Sequence, residues 1–484
     1  MQLIRPARRL TFRLMAVAGV AAAVVFSAGT AGSTAQAGAS MSGRLANQSP
    51  ASVTYSVGPI NDVSVGCPGT GDISEAMDRA RDLVYQEFEG CDHGNGIGFA
   101  RSTNGGENYT QPVALPGSGG GWDPWLAVAP DGTLYAGFMN TIGDRTYPVI
   151  DVSDDYGLTF NVEHSLRPAQ SHDWGDADYL AIGSNGTLYV AWDYGPSNSK
   201  VKLKCSPIGS CWATNGDVNV VVQSSTNDAE AFTPMSVVNP GYPDGGADEG
   251  DVTVAPDGAI DVLYQGYAVV NRRTLRLADG LEYFTTSTDG GKRWSAPVEV
   301  GASAGEMTIN EWWNDGSIAT DSSGDLYATW DTQGMVGSQK TDIGWVSFSN
   351  DGGKEWSAPV QATPDQKDVP HITQVAGAGP GQAYVAWLSS SDRRGYALYL
   401  RTFSISADDG AGGWMSDAVR ISQQFGNRNV FPGDTFGITT FSPTSLMISW
   451  GSAVPGSDRK TSAFAAPVKV QERPRSMTSD SGHE

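Results

Sequence analysis

One eight-residue pattern keeps returning along this chain: Ser287-x-Asp289-x-Gly291-x-x-Trp294, then Ser349-x-Asp351-x-Gly353-x-x-Trp356. It appears again as Ser153-x-Asp155-x-Gly157-x-x-Phe160, with Ser102-x-Asn104-x-Gly106-x-x-Tyr109 as a close variant. A stretched copy runs from Ser406 and Asp408 through Gly410 to Trp414, and a decayed one from Ser225 and Asn227 to Phe232. Such a repeat constrains the fold more than any local reading, because every copy must be the same supersecondary unit. Its chemistry is that of a tight turn between two strands. Asp or Asn with Gly closes the turn, the Ser and Asp side chains bond its backbone, and the aromatic pins it to the sheet.

A second repeat lies upstream of each copy. An aromatic or Met, two residues and then an aromatic recur at Tyr85/Phe88, Tyr135/Phe138, Tyr189/Trp192, Tyr264/Tyr267, Tyr327/Trp330, Tyr384/Trp387 and Met447/Trp450. Turn residues precede most of these pairs, and before each turn lies another alternating apolar stretch such as Trp125-Leu126-Ala127-Val128. The unit therefore reads as inner strand, turn, second strand, loop, third strand, boxed turn, outer strand, which is a four-stranded antiparallel propeller blade. The fold class is all-β, a single β-propeller over residues 51–470, with seven blades expected and six as the alternative. The seventh unit lacks the boxed turn. Its third strand is expected near Thr461–Val468 and its outer strand from Val53–Val57, so that the two ends of the chain close the ring.

The boxed turn resembles the Asp-box of sialidase-like β-propellers. The resemblance covers most of the mature chain, and it carries the fold rather than an activity. Members of that family hold a sugar carboxylate with three arginines and hydrolyse through a tyrosine paired with glutamate, with an aspartic acid as acid/base. The first arginine normally sits in an Arg-Ile-Pro motif, and no such motif occurs in this mature sequence. Arg394, ahead of Tyr396, is the nearest echo of an arginine preceding a third strand.

Arg5, Arg8, Arg9 and Arg13 precede an apolar run from Leu14 to Phe26, and Ala35-Gln36-Ala37 offers a small-x-small cleavage site. Residues 1–37 are read as a secretion signal, 38–50 as a flexible linker and 471–484 as a disordered tail. A secreted, extracellular monomer without membrane insertion is expected. Cleavage takes the formal charge from −22 to −26, which argues against nucleic acid or an anionic membrane as partner. Four cysteines in an exported chain suggest disulfides Cys67–Cys91 and Cys205–Cys211. The spacings lack paired Cys-x-x-Cys and there are five His, so neither a metal site nor a cofactor is expected.

Loops between blades, and between second and third strands, should surround the mouth of the central channel on the face opposite the boxed turns. The inter-blade segments are rich in aromatics and acids: Gly121-Trp122-Asp123-Pro124-Trp125, His172-Asp173-Trp174-Gly175-Asp176-Ala177-Asp178, Asp248-Glu249-Gly250-Asp251, Asn310-Glu311-Trp312-Trp313-Asn314-Asp315 and Asp368-Val369-Pro370-His371. Exposed Trp beside carboxylates suits a carbohydrate partner, since the indole stacks on the apolar sugar face while carboxylates take hydroxyls. Candidate catalytic acids are Glu311 or Asp315 as one partner and Asp176 or Asp123 as the other, with Trp122, Trp174, Trp312 and Trp313 as sugar platforms. Asp123, Asp251 and Asp315 recur in register, so a structural role bonding neighbouring amides is the competing reading for them. Arg145, Arg272, Arg273, Arg276, Arg393, Arg394 and Arg459 fall in loops on the same face, as guanidinium groups would for an anionic sugar. Three functions stay open. They are a glycoside hydrolase, a uronate polysaccharide lyase with His172, His371 or a Tyr as base, and a non-catalytic glycan- or protein-binding propeller.

Overall fold

A computed structural model describes residues 53–472 except 68, 92–94, 164, 196–202, 206–210, 214–217, 241–245, 267–268, 272–275, 278–280, 301–307, 310–315, 337–338, 364–369, 390–396, 407–411, 423–432, 434 and 454–460. Seven antiparallel sheets follow one another around a ring. Their inner strands are Ile73–Asp78, Trp122–Val128, Trp174–Ile182, Ala247–Val254, Ser317–Thr320, Pro370–Gly377 and Gly437–Ser442. Each is followed across its sheet by a second strand, then a third, then a short outer one. Among the described residues no helix is long and apolar enough to cross a membrane.

The repeated aromatics mark the second strands because those strands lie between a blade on either side. Residues three apart in a strand point to opposite faces, so both neighbouring blades receive a large side chain. Tyr85, Phe88, Trp192, Tyr264, Tyr327 and Trp387 are all fully buried.

Five boxed turns share one geometry. The Ser Oγ donates to the Asp or Asn Oδ1 two residues on, at 2.8–3.0 Å. It also accepts the amide four residues on, at 2.8–3.1 Å. The sheet to which the aromatic pins the turn is that of the preceding blade. Phe160 packs edge-on against Phe99, Trp356 against Phe284, and the Trp294 indole donates to Ser236 Oγ at 2.9 Å. Tyr109 of the first blade reaches Met447 of the last.

The box glycine serves both backbone and packing. Gly353 has φ +80, and a Cβ there would overlap the Phe284 ring; Gly157 stands the same way to Phe99. Blade three carries Ala229 at φ +61 in this position. There the preceding blade offers Ile150, at the register of Phe99 and Phe284, so less space is taken. Gly353→Ala is accordingly expected to lose roughly 2–4 kcal/mol in chemical denaturation through backbone strain and overpacking. An unchanged denaturation midpoint would contradict this packing.

The ring closes as the missing box implied. Val53–Val57 pairs with Thr461–Glu472, from Val53 opposite Glu472 to Val57 opposite Val468. Inner strands are also stitched directly to their neighbours. Ser74 Oγ accepts Leu126 N at 2.9 Å, Asp251 Oδ2 accepts Ile318 N at 2.8 Å, and Thr435 Oγ1 accepts Ile73 N at 3.1 Å. Cys67 forms a disulfide with Cys91, the last residue of the first blade's second strand. Cys205 and Cys211 lie directly opposite each other in a two-stranded ribbon, and their side chains fall outside the described residues.

Candidate functional site

The mouth of the channel is built from irregular strand starts. In blade two the pairing shifts between Trp122 and Trp125, in blade three between Asp176 and Asp178, and in blade four between Asp248 and Asp251. These are bulges, which re-aim side chains at the end of a ladder. Each contains a non-glycine residue in the left-handed region: Asp123 at φ +49, Ala177 at +42 and Glu249 at +51. Asp72, just ahead of the first inner strand, has φ +35. Backbone of this kind persists only where surrounding contacts enforce it.

Those contacts are carboxylates of the preceding blade. Glu89 Oε1 accepts Asp123 N at 3.3 Å, Asp123 Oδ2 accepts Ala177 N at 3.3 Å, and Asp193 Oδ2 accepts Glu249 N at 3.0 Å. Asp72 Oδ1 accepts Thr435 N at 3.4 Å across the ring closure. Asp123 and Asp251 therefore do hold neighbouring amides, the structural role weighed against function in the sequence.

The bulges open a cavity of about 280 Å³ lined by Trp122, Asp123, Trp125, Asp176, Asp178, Tyr179 and Glu249, with Thr435 on the far side. Trp122 Nε1 donates to Asp176 Oδ1 at 2.9 Å, which fixes an indole beside a carboxylate on the cavity wall. Burial pushes the Asp123 carboxyl well up, and the charges of Asp176, Asp72, Glu89 and Asp178 push it further. Burial also raises Asp176, against the Trp122 hydrogen bond. Glu89 is pushed up to about 9 by burial and then by Asp72.

The structure thus brings Trp122, Asp123 and Asp176 together. Trp174 begins the same inner strand as Asp176, packs against Gly195 and is 36 % exposed. His172 is exposed just ahead of it. Arg145 is committed to the loop beneath, donating to Gln170 O at 2.7 Å and Ala169 O at 3.2 Å. Glu311, Trp312, Trp313, Asp315, Arg272, Arg273, Arg393 and Arg394 lie outside the described residues. Arg276 lies in a short ribbon, Arg276–Leu277 paired with Val269–Asn271, and its side chain is likewise outside them.

Asp178 and Glu249 fall in the acid-rich inter-blade segments without being named as candidates, and Asp72 and Glu89 were not singled out in the sequence. A signal for Glu89 exists: Glu89, Asp193 and Asp331 each directly follow the second aromatic of the repeat, in Phe88-Glu89, Trp192-Asp193 and Trp330-Asp331.

Ring, blades and boxed turns together define a seven-bladed β-propeller. No family model matches the chain, and no curated protein matches it. Solved structures do. An ulvan lyase, a polysaccharide lyase bound to a GlcA(1-4)Rha3S saccharide, superposes with TM-score 0.54 and 13% identity, covering 83% of this chain and 94% of that one. The polysaccharide lyase Uly1 gives 0.53 and 11%, covering 82% and 90%. A Hadza microbial sialidase gives 0.43 and 11%, covering 79% and 74%. At these identities the likeness is one of fold.

Proposed function

We propose that this chain is a secreted, carbohydrate-active enzyme, a sialidase-like glycoside hydrolase that takes an extracellular glycan at the channel mouth. The observation that carries the reading is the Trp122–Asp176 pair on the wall of an open, acid-lined cavity. An indole edge bonded to a carboxylate leaves the ring face for a sugar and places an acid at its rim. Asp176 supplies one carboxylate of the hydrolytic pair, and Glu311 or Asp315 supplies the other. Trp174 extends the platform from the start of the same strand as Asp176.

Chromogenic glycosides and reducing-sugar assays on a polysaccharide panel test it. Asp176→Asn is expected to lower turnover about 10²–10⁴-fold with the circular-dichroism spectrum unchanged. Full activity in that variant removes the assignment. Silence of the parent protein across the panel, with retained glycan binding, gives the non-catalytic binder instead.

A uronate lyase is the second reading. What favours it is that Uly1 and the ulvan lyase, which superpose with TM-scores of 0.53 and 0.54, are polysaccharide lyases. His172, exposed at the entry to blade three, is its candidate base. Appearance of the ultraviolet absorbance of an unsaturated uronate during cleavage selects it over hydrolysis.

A further inference from the structure

Asp72, Glu89 and Asp123 come from two different blades, yet each offers an oxygen within 4.8 Å of the others. All three are positioned by backbone. Asp72 accepts Thr435 N, Glu89 accepts Asp123 N, and Asp123 accepts Ala177 N, each through one named oxygen. Two of the three sit on backbone held in the left-handed region, at φ +35 and +49. A second observation comes from the adjoining wall. Asp178 lines the same cavity as Asp123, is 2 % exposed, and neither of its carboxylate oxygens has a hydrogen-bond partner. Beyond the effect of burial, the charge of Asp178 raises Asp123 and that of Asp176 raises Asp178.

No Lys, Arg or His lines this cavity among the described residues. Several carboxylates held this close without a cation repel one another strongly. Either protons or a bound positive ion must relieve them, and a set of fixed oxygens from separate blades is what a hard divalent cation takes.

We propose that Asp72, Glu89 and Asp123 bind a divalent cation at the rim of the mouth cavity, Ca²⁺ by their all-oxygen donor set. Mg²⁺ demands a tighter octahedron at shorter distances and so fits a set of backbone-fixed carboxylates less readily. Bound there, the ion offsets two of the negative charges at the mouth and weakens the repulsion that the bare acids exert on a sugar carboxylate or sulfate. The inference deepens the glycan reading of this cavity, but its test uses no saccharide, so the two can fail separately.

Metal-stripped full-length protein is titrated with CaCl₂, and in parallel with TbCl₃ under tryptophan excitation, because Trp122 and Trp125 line the cavity. The expected result is saturable Ca²⁺ heat, sensitised Tb³⁺ emission chased by Ca²⁺, and a higher melting temperature in CaCl₂ than in EDTA. Glu89→Gln and Asp72→Asn, each isosteric and checked by circular dichroism, should weaken Ca²⁺ binding at least about tenfold. Should one variant fail to fold, the other decides. Absence of Ca²⁺ heat and of a melting shift in the parent protein overturns the site, as does unchanged affinity in both folded variants, which would place the ion elsewhere.

Discussion

A chain lacking residues 51–60 is expected to melt roughly 5–10 °C below the parent protein and to aggregate on heating. The segment contributes far more than one strand. Val53–Val57 supplies the outer edge of the seventh blade in five paired positions along Thr461–Glu472. Tyr55 Oη, reaching sideways, bonds Thr402 Oγ1 at 2.8 Å and Ser416 Oγ at 2.7 Å in blade six. Just beyond the deleted residues, Asn61 Nδ2 donates to Gly106 O at 3.0 Å in the boxed turn of blade one. The deleted stretch itself ties blade seven to blade six at the seam. Removing it strips backbone hydrogen bonds worth about 1 kcal/mol each and leaves a bare strand edge open to pairing with other molecules. Tyr55→Phe keeps the strand but loses its link to blade six, and should cost roughly 1–2 kcal/mol. Differential scanning calorimetry of both variants distinguishes seam from edge. Unchanged melting in the deletion would show that the ring does not depend on this closure.

The second large effect is on the dependence of stability on pH. Burial raises Glu75 from an ordinary 4.5 to about 7, against hydrogen bonds from Gln86 and Ser449. Burial likewise raises Asp151 from 3.8 to about 8 and Asp261 to about 6, and it pushes Glu87 well up. A carboxyl whose folded pKa lies above its unfolded one holds a proton in the native state that the unfolded chain has already released. Its contribution is intact below the unfolded pKa and is lost as pH rises through the folded one. Each such group costs about 1.4 kcal/mol per pH unit between those limits. The opposite cases, Asp155 and Asp289, lowered to about 2 by hydrogen bonds within their turns, are exposed and act only at the acid end. Maximal stability is therefore expected near pH 4–5, with a steady decline toward pH 8. Glu75→Gln, which keeps the shape and removes the ionisation, should flatten the decline between about pH 4.5 and 7. Equal slopes for Glu75→Gln and the parent in denaturation across that range would sink the assignment.

Blade number and closure were legible because the repeat carries its own count. The Met447/Trp450 pair gives a seventh second strand, and the absence of a boxed turn after it points to a strand from elsewhere. The third strand runs two residues beyond the expected domain limit at 470, because Gln471 and Glu472 still pair with Thr54 and Val53. The direction of the box aromatics was not legible. A periodic pattern shows that Trp356 packs on a sheet but not which of two identical neighbours receives it. Trp122 and Asp176 were legible as candidates because they stand in inter-blade segments rich in aromatics and acids. Asp72 and Glu89 were missed for a different reason. Their acids converge only through bulges and a ring closure, and neither the left-handed turn at Asp72 nor the junction with Thr435 leaves a mark in local sequence.

The seam has a practical consequence for how the molecule can be displayed. Val53 and Glu472 are directly opposed, and Val470 N bonds Thr444 O in the turn that joins inner and second strands. That turn lies on the face of the boxed turns, the far side of the disc from the bulges. The described chain thus enters and leaves its ring at one point on the back. A tether attached at either end, to a bead, a surface or a fused partner, holds the disc from behind and leaves its acidic mouth facing outward into the medium.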